Sequence, residues 1–306
     1  MAEMIGGVRI LDEDYPGKDL YSDGAVEDEL LAIAQNEKPE NFDRVAAERK
    51  SWPVLYHFSG IRQNILNWYP VGKEDKVLEI GSGCGAVTPC LAARAGEVTC
   101  VELSRKRSLV NAWRNRQYEN ITIRLGNFED VEKKLDRDYT LVTMIGVFEY
   151  GCSYISSETP YTDFLKTAAS HLAPGGRLVI AIENRLGMKY FAGCTEDHTG
   201  RFFDGIEGYP ETDSARKFSR KELEDLLRSA GLDSFTFYYP YPDYKLPMAV
   251  FSDRRLPKPG ELRMNMMNFD RKRLVLFDEA SAFDALCGSG EFPVFSNSFF
   301  VEAVIR

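Results

Sequence analysis

Short apolar runs alternate along the chain with stretches in which apolar positions recur every third or fourth residue. The first pattern reads as buried strands and the second as helices packed on them. Val77, Leu78 and Ile80 mark a first strand, and Glu97–Glu102 a second. Ile121–Leu125, Tyr139–Val147 and Leu178–Glu183 follow, then Ser234–Tyr239 and a closing strand over Asn297–Ile305. Between them, Val87–Ala95 is one helix, and Ser104 caps another that carries Leu109, Val110 and Trp113. Tyr161, Phe164, Leu165, Ala168, Ala169 and Leu172 give a strongly periodic third. Ser219-Arg220-Lys221-Glu222 is a capping box ahead of Leu223, Leu226, Leu227 and Ala230.

Upstream, Val26, Leu30, Leu31, Ile33 and Ala34 suit a short amphipathic helix. Ser51-Trp52-Pro53 opens a helix from Val54 to Tyr69 that stops at Pro70, with His57, Arg62 and Asn64 along it as solvated or capping residues. Two stretches lack any period: 184–218, mixing glycines, aromatics and polar groups, and 241–297, with Met264, Met266, Met267 and Phe269. Long irregular segments inside a compact domain are usually lids or binding loops. The expected organisation is an N-terminal helical extension over 1–70 and an α/β domain over 71–306 carrying these two inserts.

Composition narrows the classes. The hydrophobic share of 44% and charged share of 28% are ordinary for a globular chain. No run of about 18 apolar residues occurs, so no membrane span is expected. The N-terminus lacks a secretory pattern and the six cysteines form no Cys-x-x-Cys pair, so a cytoplasmic location and no metal site are expected. The net charge of −9 disfavours nucleic acid as the main partner. Basic clusters such as Arg105-Lys106-Arg107 then read as solvated faces.

The candidate chemistry centres on Glu79-Ile80-Gly81-Ser82-Gly83-Cys84-Gly85, directly after the first strand. A strand, a glycine turn and a helix start present free N–H groups to a nucleotide-like ligand. Glu102 ends the next strand, about 20 residues on, where a carboxylate can accept ribose hydroxyls. Two cofactors satisfy these features. Gly81-x-Gly83-x-x-Ala86 fits a dinucleotide fingerprint. Glu79-x-Gly81-x-Gly83-x-Gly85 resembles the first motif of the class I, Rossmann-like S-adenosylmethionine-dependent methyltransferases.

Leu172-Ala173-Pro174-Gly175-Gly176-Arg177-Leu178 and the terminal strand tip the resemblance toward the methyltransferases. The resemblance covers about 52–240 and 297–306, and 190–210 further resembles enzymes of bacterial cell-surface polysaccharide synthesis. It implies a doubly wound, mostly parallel seven-stranded sheet of order 3-2-1-4-5-7-6, with strand 7 antiparallel. It also implies S-adenosylmethionine as cofactor, contacted by Glu79, Gly81, Ser82, Gly83, Gly85, Glu102, Leu103, Asn127, Phe128, Ile145 and Gly146. Glu79 would face the methionine amino end, and Asn127 and Phe128 the adenine.

The Asn/Asp-Pro-Pro-Tyr/Phe motif of nucleobase and amide methylases is absent, since the fourth strand ends Gly146-Val147-Phe148-Glu149-Tyr150. A small-molecule or sugar hydroxyl is the expected acceptor. Its proton needs a base, and His198, with Asp197 beside it to orient the ring, is the first candidate, followed by Glu149 and Tyr150. His171 is expected to be structural. An NAD-dependent oxidoreductase and a non-catalytic methyltransferase-like subunit remain the alternatives.

Overall fold

The computed structural model describes residues 2–211, 215–264 and 273–305. Met266, Met267 and Phe269 lie outside the described residues. The chain divides into two compact units, Met1–Ile145 with Thr167–Leu178 and Ile305–Arg306, and Gly146–Lys166 with Val179–Val304.

In the first unit, β1 (Ala2–Ile5) and β2 (Val8–Asp14) form an antiparallel hairpin. They are followed by β3 (Lys76–Ile80), β4 (Glu97–Glu102), β5 (Ile121–Gly126) and β6 (Tyr139–Ile145). These strands lie in the order β1-β2-β5-β4-β3-β6, with β2 and β5, β5 and β4, β4 and β3, and β3 and β6 all parallel. Parallel strands covered on both faces must be apolar throughout. Val77, Leu78, Val98, Cys100, Ile123, Leu141 and Val142 are accordingly buried.

The second unit takes up β7 (Leu172–Glu183) partway along, and adds β8 (Phe235–Tyr241), β9 (Ala249–Ser252) and β10 (Ser298–Val304). Their order is β7-β10-β8-β9. β10 runs antiparallel to β8, and β8 antiparallel to β9. The Gly176–Ile305 and Asn184–Asn297 hydrogen bonds make β7 and β10 antiparallel as well.

Three sequence expectations change. The described residues hold ten strands rather than seven, because the N-terminal extension contributes the β1–β2 hairpin and the 241–297 insert contributes β9. That insert is also less irregular than its pattern suggests, carrying helices at Glu279–Ser289 and Phe292–Phe295. The helix expected over 54–69 breaks at Ser59-Gly60, leaving Trp52–Phe58, a 3-10 turn at Gly60–Gln63 and a single turn at Asn64–Asn67. Ser59 is extended and its hydroxyl accepts from the Ile61 N–H, while the Gly60 N–H donates to Asp43 Oδ1 at 2.7 Å. Those side-chain partners replace the helical ladder locally. No helix among the described residues is long and apolar enough to cross a membrane.

Candidate functional site

The glycine turn sits where β3 gives way to the Thr88–Ala92 helix, in the first unit. Gly81, Gly83 and Gly85 all have positive φ, at 69°, 54° and 71°. The last two serve different ends. A Cβ on Gly85 would lie 2.3 Å from Asn111 Oδ1, so this glycine lets the Arg105–Arg114 helix approach the turn. A Cβ on Gly83 would meet only Arg107 Cζ, at 3.9 Å, so the backbone there faces open space that a ligand can use.

Two carboxylates flank the turn. Glu102, at the end of β4, accepts from the Gly83 N–H at 2.7 Å and from the Ser104 N–H at 3.0 Å. It stitches the turn to β4, and its remaining lone pairs are those a ribose would meet. Glu79 is buried in the middle of the sheet, opposite Cys100 in β4 and Thr143 in β6. Its Oε2 accepts from the Thr88 hydroxyl at 2.7 Å and the Cys100 thiol at 3.3 Å, while Oε1 is buried with no hydrogen-bond partner among the described residues. Burial raises the Glu79 pKa to about 7, against the two hydrogen bonds.

Of the other expected contacts, Ser82 is buried, Leu103 is half-buried, and Ile145 is buried at the end of β6. Asn127 precedes the Phe128–Val131 turn, which its side chain does not cap, and its Oδ1 is buried with no partner among the described residues. Phe128 is buried, its ring edge-on to His171 at 6.2 Å. His171 is itself fully buried, Nδ1 bonded to the Asp136 carbonyl at 2.8 Å. Gly146 belongs to the second unit, at φ 72°, where a Cβ would lie 2.5 Å from the Tyr244 hydroxyl.

The N-terminal stretch adds residues that the pattern did not single out. Asp19 accepts from the Arg105 and Lys106 N–H groups and the Ser104 hydroxyl, capping that helix from a distance. Arg107 meets the Tyr21 ring at 4.8 Å, Asp23 at 3.1 Å and the fully buried Glu27 at 3.7 Å. The Arg105–Arg107 cluster is therefore paired with the chain's own acids rather than simply solvated. His57 and Arg62, expected on a wet face, are buried, and three arginines beside His57 add to the burial that keeps its imidazole neutral.

The three base candidates all lie in the second unit. Glu149 is buried, its Oε2 has no partner among the described residues, and burial raises its pKa to about 7. Tyr150 and His198 are joined by a 3.2 Å contact between the phenol oxygen and Nδ1, and His198 Nε2 is buried with no partner among the described residues. Burial, with Lys217 next in weight, lowers the His198 pKa to about 4. Asp197 does not orient this ring. Its carboxylate instead meets Lys217 at 2.6 Å, Lys245 at 2.9 Å and the Tyr190 hydroxyl at 2.7 Å, because three buried ammonium groups compete for it.

That competition exposes a cluster that periodicity could not find. Lys189, Lys217 and Lys245 pair with Glu183, Glu196, Asp197 and Asp243 at 2.5–2.9 Å. The residues are spread over 63 positions, 183 to 245, and each looks like a surface charge in its own stretch. Among the described residues no group of His, Cys, Asp and Glu is placed to hold a metal ion.

The cradle fits S-adenosylmethionine: an orphan carboxylate oxygen, a bare glycine and an orphan amide oxygen are available in the first unit. A search of curated proteins finds no match. Among solved structures, the chain resembles a Thermotoga maritima S-adenosylmethionine-dependent methyltransferase described as a possible histamine N-methyltransferase, at 18% identity, covering 87% of this chain and 99% of that one, with TM-score 0.48. A chain of the complex between the Haloferax volcanii Trm112 methyltransferase activator and the putative methyltransferase gives 18%, 88%, 98% and 0.50. The second of these carries a likeness of fold. The family described as "Methyltransferase domain" matches residues 26–235, which takes in the glycine turn, Glu102 and Asn127 and sets the dinucleotide alternative aside. With that match laid over the cradle, the chain belongs to the class I S-adenosylmethionine-dependent methyltransferases.

Proposed function

We propose that the protein transfers the methyl group of S-adenosylmethionine to a hydroxyl of a small molecule or sugar, by O-methylation. The cofactor supplies a methyl group already activated on sulfonium. The chain's part is to hold both molecules, exclude water and take the acceptor proton. Glu79, Gly81, Ser82, Gly83, Gly85, Glu102, Leu103, Asn127, Phe128, Ile145 and Gly146 are the proposed cofactor contacts. Residues 1–70, 184–218 and 241–297 are the proposed cover over the acceptor, and the cytoplasm its proposed location.

The observation that carries the reading is Glu149: buried, with one carboxylate oxygen unpartnered and a pKa of about 7. A base poised near neutral pH suits removal of a hydroxyl proton. His198, neutral but with its pKa down at about 4, is a weaker base there and better suited to hydrogen-bond the acceptor. Tyr150 links to it through its phenol. The lysine cluster brings three ammonium groups against four carboxylates, an excess of one negative charge that supports an uncharged acceptor over a phosphate or carboxylate.

Titration calorimetry with S-adenosylmethionine, S-adenosylhomocysteine and NAD tests the cofactor, and cell extract incubated with isotope-labelled cofactor tests the acceptor. Label is expected on a neutral hydroxylated small molecule and lost with Gly83→Asp. Label confined to RNA or protein would overturn the acceptor reading, and transfer that survives Gly83→Asp would overturn the cradle.

A further inference from the structure

His198 sits on a turn whose shape is set by one carboxylate. Glu196 Oε2 accepts from the His198 N–H at 2.7 Å and from the Thr199 N–H at 2.8 Å. The Glu196 N–H closes on the Arg201 carbonyl, and the Gly200 N–H on the Glu196 carbonyl. The other Glu196 oxygen, Oε1, lies 2.7 Å from Lys217 Nζ.

Lys217 is fully buried on the segment just before the Arg220–Ser229 helix. Its ammonium reaches Glu183 Oε2 at 2.6 Å, at the end of β7, and Asp197 Oδ2 at 2.6 Å. It also donates to the Tyr190 hydroxyl at 2.7 Å. A buried ammonium is costly unless several acceptors converge on it, and a lysine placed only to fill space would not gather three carboxylates.

We infer that Lys217 is a positioning residue for His198, tying Glu196 to the end of β7 so that the 196–199 turn holds the imidazole against Tyr150 with Nε2 left bare. The geometry gives it two effects at once. Through Glu196 it fixes the backbone on either side of the ring. Through its charge it adds to burial in opposing protonation of the ring, acting against Glu196 and Asp197 on the same turn and Glu183 on β7, while the Tyr150 phenol after β6 meets Nδ1. A neutral imidazole keeps one nitrogen as donor and the other as acceptor, so with Nδ1 engaged by Tyr150 the bare Nε2 has one defined role toward an acceptor.

The chain has only three histidines, so the imidazole of His198 can be followed by NMR and assigned by single replacements of His57 and His171. In the wild type the His198 ring is expected to titrate near pH 4. Lys217→Met is expected to raise that midpoint by more than about one pH unit, because the opposing cation is gone while the carboxylates stay. Glu196→Gln leaves Lys217 in place and removes a carboxylate, so its midpoint is expected to stay at or below the wild-type value. The opposite signs separate positioning from loosening.

An unchanged midpoint in Lys217→Met overturns the inference, as does a rise toward the ordinary imidazole value in Glu196→Gln. If Lys217→Met does not fold, the Glu196→Gln midpoint decides alone by the same criterion. The titration reads the ring directly, so it stands whether or not His198 takes part in methyl transfer. A moved titration with methyl transfer unchanged would count against the part given to His198 in the Proposed function alone.

Discussion

At the scale of single residues, the two buried glutamates make the sharpest predictions. Glu79 has a raised pKa in the sheet interior, and its free oxygen is suited to a cationic amino group. Below pH 7 the side chain is protonated and loses that attraction, so cofactor affinity should fall as pH drops from 8 to 6, by about tenfold if one proton is linked. Glu79→Gln should bind more weakly and show no such slope; calorimetry at both pH values checks this. The glycines separate by cause. Gly85→Ala faces both a positive φ and Asn111, and should cost about 2–4 kcal/mol in denaturant unfolding. Gly83→Ala meets open space and should cost only about 1 kcal/mol of backbone strain. Its loss should fall on cofactor binding instead.

At the scale of elements, helix ends are where local sequence rules hold. The Ser219–Glu222 capping box forms as its spacing requires, each side chain accepting from the other's N–H. Ser219→Ala should cost about 1 kcal/mol. The Arg105–Arg114 helix is capped twice, by Ser104 locally and by Asp19 from across the unit. Only the first was legible, because a local rule sees four residues and not a partner more than eighty positions away. The strand cores of β3 to β8 and β10 were legible for the converse reason: a strand covered on both faces is largely apolar whatever covers it. β1, β2 and β9 escaped: β1 and β9 are four-residue edge strands, too short to stand out, and β2, between β1 and β5, mixes Arg9 with its apolar residues and ends in Asp12-Glu13-Asp14.

At the scale of the whole molecule, the buried cluster governs response to acid. Asp197, Glu183 and Glu196 are held below the ordinary carboxylate range, burial acting against them and the lysines outweighing it. Groups with depressed folded pKa contribute stability above the ordinary carboxylate range and lose it as pH falls. Thermal unfolding should therefore decline steeply from about pH 5 to 3. Asp197→Asn should be less stable at neutral pH and show a shallower acid slope. Glu79 and Glu149 act in the opposite sense, since their raised pKa contributes most below pH 4.5 and fades as pH rises through about 7.

The sequence by itself determined the alternation of strands and helices, the glycine turn after β3, the carboxylate at the end of β4 and the family. All of these depend on residues close together in the chain, or on spacing that a strand and a crossover helix enforce. Only the tertiary structure decided which polar atoms stay unpartnered, that Asp197 belongs to the lysines rather than to His198, and that Glu149 is buried deeply enough for its pKa to rise. Those outcomes depend on desolvation and on charges brought together from distant stretches of chain. A pattern of neighbours in sequence carries no record of either.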